Sequence, residues 1–418
     1  MKIYDSKNIK NIVLIGAPKS GKTTLAETMM YEGGVIPRRG SIEDKNTISD
    51  YHEIEHERGN SIYATSLHTE WRGNKLNIID TPGSDDFVGE TISSLRIANT
   101  CVMVINTKNG VEVGTELQWN HSKDYKKPTV FALNQLDQQN ADFDTSINSM
   151  KTSFGNAVTI MQYPVNQGEG FNKIIDLLKM VMYEFPEKGG KPKKHSIPEE
   201  EKEKADKLHN DLVEKAAEND DELMELYFDK GSLNEDEMRK GIKIGMMNYD
   251  LFPVFCVSAK QNMGSGRMMG FLGNVCPSST EMPAEITIDG EKVICDSSGP
   301  VSLFVFKTIV EPHIGTLTFF KVISGILKPG QDLINSKNGK TERISQIYIM
   351  DGNKKNPINE IHAGDIGTTS RLKSTQTNHT LCEKGQDIAI EPTIFPEARI
   401  TLAIIIKDET NEEKVSES

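Results

Sequence analysis

The sequence predicts an α/β domain that carries a helical insertion, followed by a β-barrel domain. Three observations lead there. Before about residue 160, strand-sized apolar runs alternate with helical patterns, and each run ends in a turn or a motif. From about 186 to 245 the chain becomes acidic, with apolar residues at helical spacing. From about 285 the pattern becomes strand-like, with Gly and Pro turns.

The apolar runs are Asn11-Ile12-Val13-Leu14-Ile15, Leu76-Asn77-Ile78-Ile79, Cys101-Val102-Met103-Val104-Ile105 and Thr129-Val130-Phe131-Ala132-Leu133. Near-continuous apolar strands of this length imply a sheet covered on both faces. Pro186, Gly189, Gly190 and Pro192 then open a loop, and Pro198 precedes the charged run Glu199 to Lys204. Leu208, Leu212 and Ala216 share a helical face; Leu223, Met224, Leu226 and Tyr227 form a second helical pattern, ended by Gly231-Ser232, and a third helix starts near Asn234. The α/β pattern resumes at Phe252 to Val257. Val301 to Lys307 and Leu317 to Val322 read as barrel strands, with turns at Gly325 and Pro329-Gly330. Ala398 to Lys407 is one more strand-like run before a polar, acidic tail. The expected division is 1–282 for the first domain, 285–397 for the barrel, and 398–418 for the start of a third domain or a tail.

Composition narrows the function classes. The chain has 418 residues and a formal net charge of −13, so any RNA contact must be local rather than made through bulk positive charge. The apolar runs are too short to span a membrane, and the first residues lack an apolar stretch of signal-peptide length. The five cysteines, Cys101, Cys256, Cys276, Cys295 and Cys382, are scattered without a CxxC pair, which fits free buried thiols in a reducing cytoplasm.

Gly16-Ala17-Pro18-Lys19-Ser20-Gly21-Lys22-Thr23 fits GxxxxGK[ST] between a strand and a helical stretch that opens at Thr24. Its glycines let backbone N–H groups wrap phosphates, Lys22 reaches the β and γ oxygens, and Thr23 offers a hydroxyl to Mg²⁺. Asp80-Thr81-Pro82-Gly83-Ser84 ends the second run. Asp80 suits an outer-sphere Mg²⁺ role, and Gly83 can offer an unobstructed N–H to a γ-phosphate. Asn134-Gln135-Leu136-Asp137 follows the Phe131 strand, where the Asp137 carboxylate can accept from both N1–H and N2–H₂ of guanine while Asn134 braces the loop. Ser258-Ala259-Lys260 ends the last strand of the α/β pattern, and its backbone can meet guanine O6. The candidate cofactor is therefore GTP or GDP with Mg²⁺.

The order GKT, DTPG, NQLD and SAK resembles the translational GTPases, and elongation factor G most closely among them. Asp50-Tyr51-His52-Glu53-Ile54-Glu55-His56-Glu57-Arg58-Gly59 resembles the lead-in to switch I of that group. The same stretch contains the zinc-protease spacing HExxH, but no third ligand is evident nearby and the switch I reading accounts for its position. Leu208 to Leu226 resembles part of the elongation factor G insertion, which the resemblance starts nearer 168, giving an acidic helical insertion at about 168–250. Pro312 to Leu317 and Ser324 to Gly330 resemble that factor's barrel domain. The resemblance implies a P-loop GTPase domain, a monomer, docking at the ribosomal factor-binding centre, contact of the insertion with the stalk protein, and promotion of tRNA–mRNA translocation. Elongation factor G continues with three further domains, so the end of this sequence reads as a truncation rather than a short paralogue.

Five positions depart from the family. Ser84 stands where the family has the histidine that orients the attacking water, and its hydroxyl is too short for that task. Asn60 replaces an apolar gate residue, while Ser61 keeps a hydroxyl for Mg²⁺. Lys19 replaces an aspartate that can help hold a monovalent cation, and its ammonium is a candidate substitute for that ion. Gln135 replaces the lysine of NKxD. The expectation is a ribosome-dependent GTPase in which hydrolysis is slow or absent. The rival is a non-catalytic ribosome-binding or ribosome-protection factor that uses GTP only as a binding switch.

Overall fold

A computed structural model of the chain describes residues 2–311, 315–397 and 400–403. The first domain is built on strands β1 (Ile9–Ile15), β2 (Thr65–Trp71), β3 (Asn74–Asp80), β4 (Thr100–Asn106), β5 (Thr129–Asn134) and β6 (Val158–Ile160). A four-stranded antiparallel sheet follows from β7 (Gln162–Pro164), β8 (Lys173–Asp176), β9 (Val181–Glu184) and β10 (Lys193–His195), and β11 (Phe252–Cys256) returns to the main sheet. The main sheet has seven strands in the order β2-β3-β1-β4-β5-β11-β6, all parallel except the edge strand β2. Helices α1 (Lys22–Glu32), α2 (Glu53–Arg58), α3 (Val88–Ile97), α4 (Val113–Asp124) and α5 (Phe143–Phe154) connect its first strands. β1, β5 and β11 are buried along their whole lengths, which is why they read as unbroken apolar runs.

The segment after 168 opens with strands, not helices. Lys173-Ile174-Ile175-Asp176 and Val181-Met182-Tyr183-Glu184 pair as a hairpin whose turn places Met180 at φ 49°. β-Branched and aromatic residues beside charged ones favour this pairing. The helical part is α6 (Glu199–Ala217), α7 (Asp221–Lys230) and α8 (Glu235–Asn248). Leu212 and Ala216 are buried and Leu208 packs against them at the edge of the core. Asp220 and Asn234 cap α7 and α8 through their side chains, which places both helix starts where the acidic turns predict them. The last helix, α9 (Ser265–Asn274), packs beside α1.

The second domain is an eight-stranded antiparallel sheet with a core of its own, centred on Leu303, Val305, Phe320, Val322 and Leu381. Its long strands Ser302–Glu311 and Gly315–Ser324 are buried on both faces over residues 302–306 and 317–324. Leu303 and Val305 enter the barrel core, whereas Phe304 and Phe306 join the core of the first domain; Phe320 and Val322 divide from Phe319 and Ile323 in the same way. The period-2 alternation of a strand thus serves two cores at once. Burying each of these aromatic side chains contributes roughly 1.5–3 kcal/mol. The motif residues Pro312, His313 and Ile314 lie outside the described residues, as does most of the strand expected over 398–407.

A polar bolt also joins the domains. Lys75 of β3 is fully buried and donates to both carboxylate oxygens of Asp365 at 2.8 Å. Asn77 donates to Asp365 (2.7 Å) and to Asn11 (2.8 Å), and Asn11 donates to the Gly364 carbonyl (2.7 Å). At the sheet edge, Asp351 accepts from the His68 backbone N–H (2.9 Å) and lies 2.7 Å from its Nδ1. Removing one partner of a buried pair strands the other charge, so Lys75→Met is expected to lower unfolding stability by about 3–5 kcal/mol. Denaturant midpoints check this, with Lys75→Met/Asp365→Leu recovering most of the loss.

Candidate nucleotide site

The four motifs converge at the C-terminal ends of β1, β3, β5 and β11, the edge where ligands bind in open parallel sheets. Gly16 (φ 143°) and Gly21 (φ 95°) give the first loop its turn. A side chain at Gly21 would be strained, because φ is positive there and a Cβ would stand 2.4 Å from Asn134 Nδ2. A Cβ on Gly83 would meet Lys22 Nζ at 2.6 Å, so the second phosphate-facing loop lies directly over the lysine. Lys22 is buried and donates to the carbonyls of Gly16 (2.9 Å) and Ala17 (3.0 Å). Burial pulls its ammonium down to about 8, although Asp80 and Asp50 oppose the shift.

Asn134 holds three of the loops together. Its Nδ2 donates to the Ser20 carbonyl (2.9 Å) and its Oδ1 accepts from the Ala259 N–H (3.0 Å). Gln135, at φ 66°, donates through Nε2 to the Lys19 carbonyl (3.0 Å), and Ser258 Oγ donates to Asp137 Oδ1 (2.7 Å). Thr24, Glu27, Lys260 and Asn262 line an adjoining cavity of about 620 Å³. Its opposite wall is the segment Pro37–Glu43, where Arg39 donates to the carbonyls of Ala259 (2.8 Å) and Lys260 (3.0 Å).

A second constellation forms where switch I crosses the end of β3. Thr23 Oγ1 and Ser61 Oγ are 3.2 Å apart. Ser49 Oγ donates to Asp80 Oδ2 at 2.6 Å, and Asp50 is buried beside them. Among the described residues, Ser20 Oγ, Asp50 Oδ1 and Asp80 Oδ1 are buried without a hydrogen-bond partner. Burial first, then repulsion between the two carboxylates, pushes Asp80 up to about 7; burial likewise pushes Asp50 to about 6. Unpaired buried oxygens from one hydroxyl and two carboxylates, beside the Thr23–Ser61 hydroxyl pair, fit a hard divalent cation such as Mg²⁺.

Sequence reasoning missed Ser49 and Asp50. Asp50 stood in the switch I stretch with no spacing to mark it, because its neighbour Asp80 lies thirty positions further on in the chain and meets it only in the fold. Two residues named from the sequence lie away from this cluster. Asn60 is exposed and its amide donates to the Arg58 carbonyl (3.3 Å). Lys19 is exposed on the loop shoulder, where its backbone rather than its ammonium makes the contact. Ser84 precedes a short 3₁₀ turn, Asp85–Phe87, and donates to Asp86 Oδ2 (3.1 Å). In the HExxH stretch, His56 Nε2 meets the Asp50 carbonyl (2.7 Å) and the His52 ring packs at a tilt between Tyr51 and Tyr63. Among the described residues no cluster of three or more His, Cys, Asp or Glu is arranged to hold a metal.

Fold and site define a P-loop GTP-binding protein. The sequence pattern of the elongation factor Tu GTP binding domain matches residues 7–278, and that of elongation factor G domain 2 matches residues 300–384. The chain belongs to this family, the translational GTPases of elongation factor G type, and the family binds guanine nucleotides. A protein of Thermus thermophilus known from a crystal structure shares the fold, with a TM-score of 0.87 over 98% of this chain at 23% identity. The chain spans 60% of the length of that protein. Among the described residues no helix is long and apolar enough to cross a membrane.

The raised carboxyls make a pH prediction. A carboxyl whose folded value lies above its unfolded one adds stability that is complete below about 4 and is lost as pH rises through the folded value. Without divalent cation, stability is therefore expected to fall between about pH 4 and 7, a decline that ends as Asp50 and then Asp80 ionise in the folded chain. Lys22 titrates higher, so it contributes little slope in that window. Denaturant melts across the window check this: Asp50→Asn should flatten the decline.

Proposed function

We propose that this protein acts on the ribosome as an elongation factor G-type switch that holds GTP and hydrolyses it slowly. The observation that carries the reading is Ser84, whose hydroxyl is committed to Asp86 at the position where the family has its water-orienting histidine. Asp86 is exposed and carries the same sign as a γ-phosphate, so it is a poor substitute for an imidazole. Loss of a water-positioning group and the charge stabilisation around it lowers turnover by on the order of 10²–10⁵.

The rest of the site supports binding. Backbone N–H groups of Gly16 to Thr23 and the Lys22 ammonium would hold the phosphates. Asp137 would accept from guanine while Asn134 and Ser258 fix it, and the Ala259 backbone would face O6. Thr23 and Ser61 would hold Mg²⁺ directly, with Asp80 and Asp50 behind them. Bound there, Mg²⁺ supplies charge neutralisation between the phosphates. Ser49 and Ser61 lie in switch I, so occupancy of the site would order that segment, and release would free it.

The proposal extends to a monomer in the cytoplasm that docks at the factor-binding centre, with α6 to α8 meeting the stalk protein. Within a protein that includes the further domains of the family, the chain would promote tRNA–mRNA translocation. Complementation with the full-length gene separates this from a role in occupying or protecting the ribosome.

In a turnover assay with ribosomes, the wild-type chain is expected to bind GTP and to hydrolyse it at least about a hundredfold more slowly than family members with histidine. Ser84→His should raise the rate while leaving GTP affinity within about twofold, a difference near 0.4 kcal/mol. Wild-type turnover at the usual family rate would falsify slow hydrolysis. Nucleotide selectivity is a separate test. GTP should bind more tightly than ATP or XTP, and Asp137→Ala should abolish the preference; equal affinities in the wild type count against the guanine site.

A further inference from the structure

We infer that the cleft between the two domains, away from the nucleotide loops, binds a small organic anion with an apolar body. The cleft encloses about 890 Å³, within the range of small-molecule sites. It is lined by the end of α3, the loop after α4, the strand Gly315–Ser324 and residues 391–396, and it shares no residue with the four nucleotide motifs.

Three cations converge on it: Arg96 from α3, Lys127 from the loop after α4 and Lys321 from the barrel. Glu285 is the carboxylate among them. Arg96 Nη1 donates to Glu285 Oε2 (2.6 Å), and Lys321 Nζ stands 4.0 Å from Oε1. Asp124, Lys126 and Glu391 also line the cleft but are exposed at its rim. The inner cluster therefore sets Arg96, Lys321 and Lys127, the last only partly charged at neutral pH, against the single carboxylate of Glu285. Such an imbalance is costly in a site shielded from water, and a bound anion offsets it.

Part of this arrangement is structural. Lys127 Nζ donates to the Ala98 carbonyl (2.8 Å) and Lys321 Nζ to the Ile97 carbonyl (3.1 Å), which caps the C-terminal end of α3. Capping takes one donor from each ammonium, and an ammonium has three. Among the described residues, neither ammonium makes another hydrogen bond. Burial and the neighbouring cations Lys321 and Arg96 draw the Lys127 ammonium down to about 7, and burial lowers Lys321 as well. Ile92, Tyr125, Met282 and Ile323 supply apolar walls. Positive charge at the floor and apolar sides suit a carboxylate, sulfonate or phosphate ester carried on a hydrocarbon or aromatic body. Because the walls come from both domains, such a ligand would bind best to one relative placement of them.

The test is a fluorescence titration of the chain with 8-anilinonaphthalene-1-sulfonate, an aromatic anion, beside the uncharged N-phenyl-1-naphthylamine. The anion should bind at one saturable site, at least about tenfold more tightly than the neutral probe. Lys127→Gln/Lys321→Gln should weaken it by at least about tenfold, while Lys108→Gln, at an exposed lysine outside the cleft, should leave it unchanged. Melting curves and GTP affinity show whether each variant keeps its fold. If the double variant does not fold, Lys127→Gln alone decides, with a loss of about threefold or more expected. Absence of saturable binding, equal affinity for both probes, or full anion affinity in the folded lysine variants would overturn the proposal.

Discussion

The contact on which the architecture turns is the buried ion pair between Lys75 and Asp365. It joins strand β3 to the barrel at a single register and draws Asn77, Asn11 and the Gly364 carbonyl into one network. An ion pair without water around it contributes little net stability against an apolar substitute, but it penalises every arrangement that leaves either charge unpaired. The apolar faces of Phe304, Phe306 and Phe319 would tolerate sliding; the pair does not. Asp80 stands at the end of the same strand, so one seven-residue element carries both the domain junction and the carboxylate proposed to back Mg²⁺. The rigid strand gives barrel placement and nucleotide chemistry a common part, without need of a longer pathway.

Much of the fold was legible because the main sheet is buried on both faces, so its strands read as apolar runs and end in their motifs. The helices α6 to α8 were legible from acidic caps and helical spacing. The hairpin β8–β9 was harder: its strands are four residues long and sit inside a stretch whose family resemblance suggested helix. The domain junction was not legible at all. Lys75, Asn77 and His68 look like ordinary polar positions, and their partners lie some 283–290 positions away. A buried polar residue is recognisable only with its partner beside it, and sequence spacing does not supply the partner.

The site divides along the same line. Loops with a fixed internal spacing, Gly16 to Thr23 and Asn134 to Asp137, were readable because backbone geometry dictates their residues. Asp50 and Ser49 were not, since they act by crossing over β3 and no local rule places them there. Asn60 shows the converse: chemistry assigned by position in a motif does not guarantee that the side chain faces the site, and its amide instead closes a local turn with Arg58. Ser84 carries more weight because its hydroxyl has a defined partner. The departures from the family thus differ in kind, some altering what the site can do and others altering only a surface.

The Asn134 side chain has a consequence for the energetics of recognition. It ties the loop of Gly16 to Thr23 to the loop of Ser258 to Lys260 through protein atoms alone, by way of Ser20 on one side and Ala259 on the other. The ordering of these segments is then part of folding, not of association. An incoming nucleotide meets a preorganised cradle, and more of its contact energy is expressed as affinity.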